Sequence, residues 1–121
     1  MAEIILMKLI VCNIRYERLE EIREKLFELG VPGLTVSEVK GIGKPMHQLK
    51  SEASPEPVQI PQFHPRIEMR LVLEDEAVEE VVETIVSTVR TGNLGDGKIF
   101  VLPVEEAIRI RTGEKGTQAL Y

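Results

Sequence analysis

One short segment carries the strongest chemical signal in this chain. Gly92-Asn93-Leu94-Gly95-Asp96-Gly97-Lys98-Ile99 has the glycine and lysine spacing of a Walker-type phosphate loop, but Ile99 stands where that loop needs a Ser or Thr to hold magnesium. The context is inverted as well. A Walker loop leads from a strand into a helix, so that phosphate meets the N–H groups of a helix start, whereas this segment leaves a helical pattern and enters an extended one. P-loop ATPase chemistry is excluded on both counts. Anion binding survives, because glycines let backbone N–H groups approach a phosphate closely and Lys98 adds charge. A plain glycine-rich turn accounts for the same residues equally well.

Two further motifs bear on that choice. Arg109-Ile110-Arg111-Thr112-Gly113 places two arginines two residues apart on a segment that reads as extended. In a strand both would face one side, about 6–7 Å apart, and their fork-shaped donors suit successive phosphates better than lysine does. Taken alone, such a pair is more often an exposed charged edge. Lys40-Gly41-Ile42-Gly43-Lys44 again combines permissive glycines with basic residues, at the root of a long loop. Thr35, just upstream, can donate a hydrogen bond to a base or sugar, although Thr is commonplace in strands.

Reaction chemistry is poorly represented. His47 and His64 have no Cys or acidic partner at metal-ligand spacing and read as polar loop residues, so no metal site is expected. The acidic residues alternate with basic ones along helix faces, as solvated surface does, and no Ser lies in a nucleophile elbow. Cys12, the only cysteine, sits in an apolar run and reads as a buried thiol that cannot form an intrachain disulfide. The expectation is a binder and not an enzyme.

The composition agrees with that reading. A chain of 121 residues with 43% hydrophobic residues can build one core, so a single domain over 1–121 is expected. Only 4% of the residues are aromatic, and a small aliphatic core gains from burying more surface between subunits. A net charge of −5 provides no basic field for a nucleic-acid backbone. No run approaches the ~20 apolar residues of a membrane span. No secretory signal is visible either, which makes the cytoplasm the expected location.

The elements that must position these motifs follow from periodicity. Residues 4–14 form an apolar, β-rich run that reads as a central strand. From Glu17 to Leu29 the period becomes helical, with Leu19, Ile22, Leu26 and Leu29 on one face and Gly30 as the stop. Leu34, Val36 and Val39 mark a second strand reaching Gly41. Lys44 to Pro65 holds Pro45, Pro55, Pro57, Pro61 and Pro65 among polar residues, which reads as a long flexible loop. Arg66–Leu73 alternates as a strand. Ala77, Val78, Val81, Val82, Ile85, Val86 and Val89 then form a helical stripe that begins among the acids 74–76. Lys98–Val104 reads as a fourth strand, and Ala107–Arg111 as a short fifth. The order βαββαβ is the split βαβ, ferredoxin-like α+β arrangement, an antiparallel sheet with two helices on one face.

Gly33-Leu34-Thr35-Val36-Ser37-Glu38-Val39-Lys40-Gly41-Ile42-Gly43, Thr91-Gly92-Asn93-Leu94-Gly95-Asp96-Gly97-Lys98-Ile99-Phe100-Val101 and Arg109-Ile110-Arg111-Thr112-Gly113 together resemble the nitrogen regulatory P-II signal-transduction proteins. The resemblance implies a homotrimer that binds an adenine nucleotide, ATP, ADP or AMP, in clefts between neighbours. Gly33, Thr35, Gly41, Gly43 and Lys44 would line one wall; Gly95, Asp96, Gly97, Lys98, Arg109 and Arg111 would line the other. The loop 44–65 would correspond to the family's T-loop, which docks on a partner protein such as an ammonium transporter, a kinase or a metabolic enzyme. Arg66 falls where the family has a basic residue at the loop's return, available to a phosphate or small anion. The loop also departs from the family. Lys44-Pro45 replaces the Arg-Gln pair that supports magnesium and 2-oxoglutarate, and no tyrosine lies between Gly43 and Arg66 for uridylylation. Ser51 and Ser54 read as solvated loop serines. The resemblance leaves open regulation of bicarbonate uptake, a weak ATP hydrolase, and a structural oligomer with a vestigial cleft.

Overall fold

The computed structural model describes residues 6–43 and 62–121. Four strands, β1 (Met7–Ile14), β2 (Thr35–Gly41), β3 (His64–Glu74) and β4 (Ile99–Pro103), form one sheet in the order β2-β3-β1-β4. Every neighbouring pair is antiparallel. Helix α1 (Leu19–Glu28) joins β1 to β2, and α2 (Asp75–Val89) joins β3 to β4. The expected ferredoxin-like arrangement is therefore the observed one.

Alternation sorts each strand into two faces. Ile10, Cys12 and Ile14 of β1 and Ile67, Met69, Leu71 and Leu73 of β3 are buried with Ile22 and Leu26 of α1 and Val81, Ile85 and Val89 of α2. Both helices thus cover the same face. On the other face the register lines up Leu102, Leu9 and Val72 in one row and Phe100, Val11 and Arg70 in the next. Phe100 is 52% exposed and Leu102 42%, so an apolar patch faces out from the sheet.

Local chemistry explains the boundaries. Helix α1 closes with the Val31 N–H donating to the Leu26 carbonyl (3.3 Å) and the Gly30 N–H to the Phe27 carbonyl (3.0 Å), with Gly30 at φ +75°. That is a Schellman closure, which needs a residue free of the β-carbon penalty at this position. Helix α2 opens with Asp75 and Glu76 in its first turn, complementing the dipole, and Asp75 also pairs with Lys8 at 2.7 Å. Strand β3 begins two residues earlier than its alternation indicates, with His64 opposite Gly41 and Pro65 opposite Lys40. Pro65 is tolerated because β1 pairs no further than Ile67, which leaves β3 a single neighbour there.

The expected fifth strand is not formed. Over 107–116 the only ladder contact is the isolated bridge Ile108–Lys115, closed by Arg109 N–H to the Glu114 carbonyl (2.8 Å) and Gly113 N–H to the Arg109 carbonyl (2.7 Å). The chain turns at 110–112 because Gly113 takes φ +76°, so Arg109 and Arg111 do not share a strand face. A 3-10 turn over Gly116–Leu120 follows. The prolines at 45, 55, 57 and 61, with Lys44, His47, Ser51 and Ser54, lie outside the described residues.

Candidate functional site

The loop 92–98 joins the end of α2 to β4, and one carboxylate organises it. Asp96 accepts hydrogen bonds from the Thr91 hydroxyl, the Thr91 N–H (2.9 Å), the Gly92 N–H (2.9 Å) and Arg15 Nε (3.3 Å). These donors, the Thr91 hydroxyl foremost, hold its carboxyl well below the usual carboxylate range. Asp96 therefore serves the loop's own geometry. Gly97 has φ +95°, and a β-carbon there would fall 1.8 Å from the Asn13 carbonyl oxygen. The approach is this close because the Asn13 N–H donates to the Lys98 carbonyl (3.2 Å), tying the loop's exit to the end of β1.

Two guanidiniums converge on the loop's middle. A β-carbon on Gly95 would lie 3.0 Å from Arg66 Nη2 and 3.2 Å from Arg15 Nη2. Arg15 is held by Asp96 and by its Nη2 donating to the Leu94 carbonyl (2.8 Å), while Arg66 Nη1 donates to the Pro65 carbonyl (3.1 Å). Arg66 also packs its stem on Gly41, where a β-carbon would be 3.6 Å from its Cγ. Like charges this close repel, and an anion between them relieves the repulsion. Lys98, three residues after Gly95, is exposed. Gly41, Gly95, Asp96, Gly97, Lys98 and Arg66 thus gather at one end of the sheet, and Gly43 follows Gly41 closely. Lys44 lies outside the described residues.

Arg15 is the member that sequence reasoning missed. Within Arg15-Tyr16-Glu17-Arg18 it reads as charge at a helix start. Its partners Leu94 and Asp96 lie 79 and 81 residues away, and nothing local announces them.

Gly33 and Thr35 lie elsewhere. They line a 300 Å³ pocket on the helix-free face with Leu9, Arg70, Val72, Ala119 and Leu120. Arg109 belongs to this second group, since its guanidinium donates to the carbonyls of Gln118 and Tyr121. Arg111 is exposed at the nearby turn. Within one chain the expected walls are therefore divided differently: Gly41 sits with the 92–98 loop, and Arg109 sits with Gly33 and Thr35. A third concavity, about 310 Å³, lies under the loop between α2 and β4 and is lined by Val82, Ile85, Val86 and Val89.

Cys12 is buried, and burial pushes its thiol up to about 11, so it is no thiolate at neutral pH. Among the described residues no group of three or more His, Cys, Asp or Glu side chains stands where a metal ion could be held. No helix among them is long and apolar enough to cross a membrane.

Comparison with known proteins places this geometry. The family described as nitrogen regulatory protein P-II matches residues 7–114. Nitrogen regulatory protein P-II of Azospirillum brasilense is 43% identical over 114 residues, covering 94% of this chain and all of the relative. The same-named protein of Cereibacter sphaeroides is 46% identical with the same coverage. Among solved structures, the B. subtilis GlnK–ATP complex superposes with a TM-score of 0.80 at 30% identity, covering 98% of this chain and 99% of that one. Arabidopsis thaliana PII bound to citrate gives 0.76 at 35% identity, covering 94% and 92%.

Proposed function

The chain belongs to the nitrogen regulatory protein P-II family, and we propose that it works as a non-catalytic sensor: a cytoplasmic homotrimer that binds an adenine nucleotide between neighbouring chains and signals to a partner protein through segment 44–65. One observation carries this reading. Thr35 and Gly41 are the two ends of β2, which puts the two basic, glycine-rich groups roughly 20 Å apart at about 3.3 Å per residue. A single nucleotide cannot be gripped by both groups of one chain at that separation. The Gly33–Thr35 end of one chain and the Gly95–Lys98 end of the next form one site when copies pack head to tail, and a head-to-tail contact that closes makes a ring.

In that site Gly95, Gly97, Lys98, Gly41, Gly43 and Arg66 come from one chain, and Gly33, Thr35, Arg109 and Arg111 from its neighbour. Asp96 keeps the glycine loop in shape for phosphate. The ATP held by B. subtilis GlnK supports a nucleotide ligand, and the citrate on the Arabidopsis protein supports a small polyanion at such a scaffold. The absence of catalysis is supported by Ile99, which packs on the core where a Walker loop would present a hydroxyl to magnesium. A membrane transporter or a metabolic enzyme is the class of partner implied.

Calorimetric titration with ATP, ADP and AMP, each with and without 2-oxoglutarate and bicarbonate, tests the reading. At least one nucleotide binds, with no ADP formed from ATP on prolonged incubation beyond a protein-free control. Failure of all three to bind would overturn the sensor, and steady ADP release would replace it with a weak hydrolase.

A further inference from the structure

Arg109 is engaged within its own chain through both terminal nitrogens. Its Nη1 donates to the Glu114 carboxylate at 2.8 Å, and its Nη2 donates both to the Gln118 carbonyl at 2.7 Å and to the Tyr121 carbonyl. The segment supplying these acceptors is itself docked. Gly116 N–H donates to the Ala107 carbonyl (3.0 Å), and Ala119 and Leu120 line the pocket that holds Gly33 and Thr35. The Glu74 carboxylate at the end of β3 pushes the titration of the Tyr121 phenol up.

A guanidinium offers two forks to an oxyanion, the Nη1/Nη2 edge and the Nε/Nη2 edge, and both use Nη2. With both Nη2 protons given to backbone carbonyls, neither fork is open. Arg111, two residues on, is exposed. The arginine pair is therefore split into a held member and an available one. The geometry points to segment 114–121 as an internal competitor: it occupies Arg109 and one wall of the Gly33–Thr35 pocket, and a polyphosphate ligand must displace it to be gripped by both arginines. The displacement is feasible because Nη2 gives up the neutral Gln118 carbonyl for a charged phosphate, and charge-assisted bonds are roughly twice as strong as neutral ones. This rests on the proposed function only in naming the ligand as a nucleotide.

A docked competitor lowers apparent affinity by the fraction of molecules in which the site is open. Two variants loosen it, Leu120→Ser combined with Tyr121→Phe, and a chain ending at Lys115. Both should bind nucleotide about three- to tenfold more tightly than the full chain, the factor expected when the open fraction is about 10–30%. In an Arg109→Ala background the gain should vanish. Hydrogen exchange in the full chain should speed up over 116–121 on addition of ATP or of inorganic tripolyphosphate, which carries the phosphates without a base. Release by tripolyphosphate in a chain that binds no nucleotide would keep the competitor and discard the nucleotide reading. Nucleotide binding with unchanged affinity in both folded variants would discard the competitor and keep the reading. Unaltered exchange over 116–121 with every probe would also overturn it.

Discussion

Asp96 and Gly97 show how closely the glycine loop is specified by single residues. Alanine at Gly97 meets a carbonyl oxygen at 1.8 Å and a backbone at φ +95°, so Gly97→Ala should cost about 2 kcal/mol or more in chemical denaturation. Gly33→Ala, with nothing within 4 Å of its β-carbon, is the matched control and should be nearly neutral. Equal stability of the two variants would show that the loop yields freely. The Asp96 carboxyl titrates below its ordinary value of 3.8 when folded, so its contribution is fully present above that value and is lost as pH falls beneath it. The stability difference between the native chain and Asp96→Asn should stay constant from neutral to about pH 5 and close in more acid solution. A gap that persists unchanged through the acid limb would mean the carboxylate's bonds do not stabilise the fold.

Elements were legible in the sequence wherever periodicity changed cleanly. The stripe 77–89 and the stop at Gly30 give α2 and the end of α1 to within a residue or two, and the chain order is enough for the sheet topology. The failure at 107–111 has a local cause. Arg109-Ile110-Arg111 alternates like a strand, but Gly113 and Gly116 both take positive φ and fold the segment back on itself. Those two glycines were the available signal. The separation of the candidate residues into two groups was not legible, because it depends on which ends of β2 and β3 pair, and that register is a long-range property. At this scale the loop's roots make a prediction. Arg66 touches both Gly41 and the Gly95 position, so a ligand held there acts on both strands that lead into segment 44–61. Nucleotide should slow hydrogen exchange over 41–48 and 62–68. Protection confined to the 92–98 loop would mean that the roots do not report the ligand.

At the scale of the molecule, the apolar rows on the helix-free face and the separation of the two basic groups point the same way. Leu9, Val11, Val72, Phe100 and Leu102 form apolar surface that would gain by burial against other copies, and in the proposed trimer the same packing would bring the Arg111 end of one chain to the Lys98 end of the next. Replacing either residue with Ala should weaken nucleotide binding roughly tenfold or more, as expected for loss of a charge-assisted hydrogen bond. In the proposed intersubunit site the two lesions lie in different halves. The decisive measurement is therefore calorimetry on mixed trimers made by refolding equal amounts of Lys98→Ala and Arg111→Ala chains together, with light scattering confirming three chains per particle. A site between chains predicts native affinity at about a quarter of the sites, those that draw both intact halves from different chains. Mixed trimers in which every site stays as weak as in the parents would place both halves of the site within a single chain and contradict the account.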